Sequence, residues 1–364
     1  MEEKKVVFVP VSNIIPGMVA ANDICDMNNE LIIPKDSIID GAGITRITLF
    51  EITSVTVYAD DPLLLQIHEQ NFQNQFASTE EKAEFIEFRK NYNSTLEFVS
   101  KKLKQLLNKD EEIDYTELVN EVDKLVYKSK SKYHIFNMLH DIKTFADETF
   151  RHTLNVAIIN NIFAEWLKMD EEEKKNLTLC GLLHDLGKLF VDKDILRKPG
   201  KLTDDEFEQI KQHPVLGFNC LKNKKIPDSV KRGVLLHHER SDGKGYPYGF
   251  GINEIVPFAA ITSIADAYEA MTATRVYRRG MSPFDVIRIF EEEGKKQFDP
   301  VYLLPLLKHL TNTYLQHRVI LSNGLTGKVV LINKDELSHP MVMLDDETFL
   351  DLSKSRGVKI TEVQ

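Results

Sequence analysis

At 364 residues the chain exceeds what one ordinary core organises, so two or three domains are expected. Its net charge of -10 argues against a polymeric nucleic-acid surface or a face for anionic membranes. It leaves room for a small anionic ligand, because a metal cluster and a few arginines can invert the sign locally. The three cysteines, Cys25, Cys180 and Cys220, are scattered and odd in number, which excludes a disulfide framework and fits a reducing cytoplasm. No leader-like segment and no run long enough to span a bilayer is read.

In chain order, residues 1–60 read as a small β-rich module with one helix. Lys5–Val11, Leu31–Ser37 and Ser54–Tyr58 are strand candidates, and Gly43–Phe50 is a short helix. Residues 61–135 form a helical connector and a possible homodimer surface. Helical spacing recurs over Ala83–Phe88, Leu96–Leu107 and Tyr115–Tyr127, with a loop expected at Asn108–Glu112. Residues 136–312 carry helices at Asp147–Leu167, Leu177–Leu183 and Pro257–Thr274, and Thr203-Asp204-Asp205-Glu206 is a helix-start signature. Residues 313–364 return to short strands around the Asn323-Gly324 turn and suggest a small barrel-like module. The fold class is mainly α, a helical bundle between a small N-terminal α/β module and a small C-terminal β module.

Chemistry concentrates in the bundle. The apolar run Leu177–Leu183 ends in His184-Asp185-Leu186-Gly187-Lys188, and buried charge there is costly unless paired. His184 and Lys188, four apart, would share a face if the helix continued. Glu148 and His152 have the same spacing. His213 precedes Pro214, His237 and His238 are adjacent, and Asp266 sits inside the apolar stretch Ile264–Ala267. Taken singly, each except the His184-Asp185 pair is more simply a cap, an ion-pair partner or a packed side chain. Jointly they form a set of imidazoles and carboxylates without cysteine, which suits iron, manganese or zinc and exceeds the needs of one tetrahedral ion. Asp185 is the natural bridge of a cluster, since it directly follows a terminal ligand.

His184-Asp185-x-Gly187-Lys188 followed by His237-His238-Glu239-x-x-Asp242-Gly243-x-Gly245-Tyr246-Pro247 resembles the HD-GYP family of metal-dependent phosphohydrolases, over roughly residues 140–310. The resemblance implies an HD-type catalytic domain with metal ligands at His152, His184, Asp185, His213, His237, His238 and Asp266. Some family members place a carboxylate where Glu148 stands and hold three metals; many hold two, so two or three divalent ions are expected. Iron is the expected metal, with manganese as the alternative. The implied reaction is hydrolysis of cyclic di-GMP to pGpG and, in some members, on to GMP. It would be carried by Asp185 on the cluster and by Lys188 neutralising phosphate charge. Gly245, Tyr246 and Pro247 would shape the substrate pocket, and Arg275 and Arg278 would hold the second phosphate or a guanine edge. One departure stands out. The family usually has Asp three positions after Asp266, where this chain has Glu269, which keeps the charge and lengthens the reach. Cyclic GMP-AMP as the substrate, a non-catalytic receptor and a scaffold are the other readings.

Overall fold

The computed structural model describes residues 6–10, 14–25, 31–50, 52, 54–58, 79–106, 114–129, 135–136, 138–139, 148–196, 198, 202–273, 280–355 and 357–363. The expected loop at 108–112 lies outside them. Two compact units emerge: residues 1–83 with 275–279, and residues 84–274 with 280–364.

The first unit has two antiparallel pairs. Strand β1 (Val6–Pro10) pairs with β4 (Ser54–Tyr58), and β2 (Ile24–Cys25) with β3 (Leu31–Ile33). Helix α1 (Gly41–Leu49) is capped by the Asp40 carboxylate on the Gly43 amide. Met18, Ala20, Ile39, Ile47 and Val57 close the core between strands and helix.

The second unit is built around α4 (Glu148–Trp166), whose residues 150–164 are all buried. A helix buried on every side carries no polar stripe, and its polar side chains must find partners inside. The amide nitrogens do, Asn160 donating to Leu177 O and Thr262 and Asn161 to Asp123 and Thr178, whereas both amide oxygens are buried without a partner among the described residues. Before it run α2 (Thr79–Gln105) and α3 (Tyr115–Lys128). The connector's first two helical segments are thus one 27-residue helix, because no Gly or Pro interrupts the chain between Phe88 and Leu96.

Helix α5 (Glu171–Leu183) starts at a reciprocal capping box between Asp170 and Glu173 and packs along α4. It ends at His184, and the chain turns through Asp185 (φ -97°, ψ 8°) into a 3₁₀ segment, Leu186–Phe190. His184 and Lys188 therefore do not share a face of one α-helix; the helix breaks between them. Next come α6 (Asp204–Ile210), begun by the Thr203–Glu206 capping box, then α7 (His213–Leu221) and α8 (Asp228–Leu236). Helix α9 (Pro257–Thr272) starts with Pro at its first turn and packs on α4, α5 and α8. Helix α10 (Pro283–Ile289), a π-helical turn and α11 (Pro300–Thr313) complete the bundle.

The C-terminal strands form a five-stranded antiparallel sheet in the order β8 (Phe349–Asp351), β7 (Met341–Leu344), β6 (Thr326–Leu331), β5 (Arg318–Leu321), β9 (Ile360–Val363). Among the described residues its two edges do not pair, so it is an open sheet rather than a closed barrel. The Glu291 carboxylate anchors it to the bundle by accepting from the amides of Leu337 (2.6 Å) and Ser338 (3.0 Å). No described helix is long and apolar enough to cross a membrane.

Candidate metal centre

Three helix ends define the site. At the C-terminus of a helix the last carbonyls lack amide partners. His184 follows α5, and its Nδ1 lies 2.8 Å from Gly181 O. His213 lies three residues after the last residue of α6, with Nδ1 2.7 Å from Ile210 O. His237 follows α8, with Nδ1 2.7 Å from Val234 O. In every case the acceptor is the carbonyl three residues back. A carbonyl accepts only, so Nδ1 carries the proton and Nε2 presents a lone pair. All three rings are fully buried.

Those lone pairs converge. His213 Nε2 and His237 Nε2 are 3.3 Å apart, and His184 Nε2 lies 3.4 Å from His152 Nε2. For His213 and His237, two acceptors face each other with no proton to share, an arrangement that a cation reconciles. Asp185 stands between the pairs. Its Oδ2 is 3.5 Å from His184 and 3.6 Å from His152, and its Oδ1 is 3.3 Å from His213 and 4.0 Å from His237. That buried Oδ1 accepts no hydrogen bond. The potential ligand atoms of His152, His184 and Asp185 lie within 4.8 Å of one another, as do those of Asp185, His213, His237 and His238. Asp185 is common to both groups. Asp266 adjoins them, with Oδ1 3.0 Å from His152 Nε2 and Oδ2 3.9 Å from His238 Nδ1. Orphaned Oδ1, lone pairs facing inward and three helix C-termini make a donor set that fits divalent cations.

Protonation agrees with that fit. Burial lowers His184 and His237, and takes His213 down to about 4 and His238 to about 3, so these rings are neutral at pH 7. Burial works against ionising Asp185 too, but Lys188 and the surrounding imidazoles more than offset it and hold the carboxyl well below its usual range. His152 differs. Burial disfavours its charged form, yet the Glu269 and Asp266 carboxylates raise it to about 10. Its Nδ1 proton belongs to Glu269 Oε2, 2.5 Å away, and a cation at Nε2 would displace the other.

The sequence reading missed Glu269 as this partner, although its spacing of three from Asp266 on α9 puts both on one face. Glu269 also accepts from Asn155 (2.8 Å), and Arg151 Nη1 lies 3.7 Å away. Burial opposes ionisation of Glu269, but His152 first, then Arg151 and the Asn155 hydrogen bond, hold its carboxyl down to about 2. Glu148 opens α4 four residues before His152, but its side chain, like Arg275 and Arg278, lies outside the described residues.

Lys188 Nζ reaches Asp185 Oδ2 at 2.7 Å from the 3₁₀ turn and is partly exposed. Gly187 explains the tight placement. A Cβ there would meet His213 O at 1.8 Å and Gly217 N at 2.7 Å, so only glycine lets the two backbones approach.

A family model described as an HD domain matches residues 134–301. The chain is 33% identical over 202 residues to a cyclic di-GMP phosphodiesterase of Pseudomonas aeruginosa, covering 55% of this chain and 49% of that one. It is 34% identical over 232 residues to a cyclic di-GMP phosphodiesterase of Thermotoga maritima (62% and 60%). It is 38% identical over 145 residues to a 3'3'-cGAMP-specific phosphodiesterase of Vibrio cholerae (40% and 34%). Over this stretch the chain is similar to HD-domain phosphodiesterases. It spans about half the length of the curated relatives it matches.

The Gly245-Tyr246-Pro247 loop closes one side of the site. Tyr246 stacks on His238, ring centroids 4.6 Å apart, and stands edge-on to His213 at 6.2 Å. Burial, then the fields of Asp185 and Asp266, push its hydroxyl up, so it stays protonated and able to donate. The buried Glu239, a second residue missed from sequence, holds the loop by accepting from the amides of Tyr248 (2.7 Å) and Phe250 (2.9 Å). Gly245 passes so close to His238–Arg240 that a Cβ would meet three backbone atoms at 2.5 Å. Pro247 follows Tyr246 in this turn.

Proposed function

We propose that the protein is a metal-dependent phosphodiesterase that hydrolyses cyclic di-GMP to pGpG and onward to GMP. The observation that carries this reading is Asp185, whose two oxygens serve two imidazole groups at once. In this reading Glu148, His152, His184, Asp185, His213, His237, His238 and Asp266 hold two or three divalent ions, iron or alternatively manganese, within a catalytic module spanning 136–312. When bound, such ions activate water and clamp phosphate oxygens.

The chain's own residues supply the rest. Asp185 remains ionised and joins the two groups. The pinned imidazoles keep their lone pairs on the site without reorganising. Lys188, at the mouth, offers its ammonium to the non-bridging oxygens of the phosphate. Tyr246 supplies a protonated hydroxyl and a ring face to the nucleotide, and Gly245 and Pro247 shape the wall it leans on. Arg275 and Arg278 take the second phosphate. The setting is a cytoplasmic protein, with residues 61–135 as a homodimer surface.

Cyclic GMP-AMP is the second reading, favoured by the 38% identity to the Vibrio cholerae enzyme. Turnover of the two cyclic dinucleotides side by side, with product analysis, tests both. Faster release of pGpG and GMP from cyclic di-GMP supports the first reading. Preferential cleavage of cyclic GMP-AMP supports the second, and binding without cleavage by metal-replete protein refutes both.

A further inference from the structure

His152 lies within α4, where neighbouring carbonyls are engaged by the helix, so its Nδ1 cannot use the device of the other three histidines. Its orientation comes from a line of buried side chains instead. Glu269 Oε2 takes the Nδ1 proton at 2.5 Å, and Glu269 Oε1 accepts from Asn155 Nδ2 at 2.8 Å. Tyr92 Oη lies 2.6 Å from Asn155 Oδ1. All four side chains are buried, Tyr92 completely. The direction of each bond is forced. The Glu269 carboxylate only accepts, so the Asn155 amide must turn its NH₂ toward it. The amide oxygen then faces Tyr92, which must donate. Burial keeps the Tyr92 hydroxyl protonated for that task.

We propose that Tyr92 is a positioning residue for His152. Its phenol fixes the Asn155 amide, the amide fixes the Glu269 carboxylate, and the carboxylate fixes the tautomer and tilt of His152. Tyr92 belongs to α2, the helix that follows the N-terminal unit along the chain. The seat of α2 is thereby felt at a metal ligand some sixty residues on. The inference rests on the reading of His152 as a ligand, given above.

The test uses the full chain and Mn²⁺ affinity measured by competition with a chelator, alongside thermal melting. Tyr92→Phe keeps the ring and removes one hydroxyl. It should weaken Mn²⁺ binding about threefold to tenfold, less than the roughly 10–100-fold expected when a direct partner of a ligand is lost, as in Glu269→Gln. Tyr314→Phe is the control: it removes a hydroxyl from the buried Tyr268–Tyr314 pair (3.2 Å) and should leave Mn²⁺ affinity unchanged. Asn155→Ala breaks the line at its next link and serves if Tyr92→Phe does not fold. The Tyr92→Phe/Asn155→Ala double variant should bind no more weakly than Asn155→Ala alone. Wild-type Mn²⁺ affinity in folded Tyr92→Phe, with Glu269→Gln weakened, would overturn the role of Tyr92 and leave the metal reading standing. Unchanged affinity in Asn155→Ala would overturn it equally. Unchanged affinity in Glu269→Gln and His152→Ala as well would remove the metal reading itself.

Discussion

The histidines that surround Asp185 are oriented by different means. His184, His213 and His237 each lean on the carbonyl three residues earlier, at the end of the helix that delivers them. His152 leans on Glu269, which is 117 residues away. Three rings, spread over both ligand groups, are held by local backbone, and the fourth by long-range side chains. A backbone carbonyl cannot be mutated away, so the first three are robust. The orientation of His152 can be weakened by substitutions that touch no ligand.

The largest effect should come where the groups join. Asp185→Ala removes a carboxylate from both, and the loss of cyclic di-GMP turnover should exceed the roughly 10²–10³-fold cost of one electrostatic contact. Steady-state rates of the metal-replete variant check this, with circular dichroism to confirm folding. Glu269→Gln should act on the His152 group only. Mn²⁺ affinity should fall about 10–100-fold for part of the metal complement, with the rest bound as in wild type, in a stepwise chelator titration. Gly187→Ala attacks one of the backbone-held rings through packing, since its Cβ has no room against His213 O. A loss of about 1–3 kcal/mol in denaturant unfolding is expected.

The smallest effect separates His152 from the other rings by pH. In metal-free protein His213 (about 4), His238 (about 3), His184 and His237 all sit below the free imidazole value of roughly 6.5. Unfolding lets each take up a proton, so the stability they contribute is present above about 6.5 and is lost as pH falls toward about 4. His152, raised to about 10, has the opposite sign: its contribution is present below about 6.5 and fades as pH rises through 10. Urea midpoints of chelated protein between pH 4.5 and 7 should fall with acid. In Glu269→Gln, His152 loses the carboxylate that most favours its charged form, and its own contribution near neutral pH should shrink.

The same contrast explains what the sequence showed. Histidines just after helical runs, at 184, 213 and 237, are legible because local periodicity sets where a helix ends. The α-helical bundle, the Thr203–Glu206 helix start and the β-rich flanks are legible for the same reason. Glu269 was visible only as a departure from a family pattern. Its function depends on how α9 lies against α4, which local spacing does not encode. Asn155 and Tyr92 gave no signal at all: an Asn on a buried helix and an aromatic on an amphipathic one look like packing until their partners are placed. The helix break at His184 was also hidden, because the 3₁₀ turn is imposed by Gly187 closing on the backbone of α7.

The most direct test is the metal content per chain of anaerobically purified wild-type protein and folded Asp185→Ala. A shared bridging carboxylate predicts two or three divalent ions in the wild type and depletion of both groups in the variant. An Asp185→Ala protein that keeps the full wild-type complement would contradict the account.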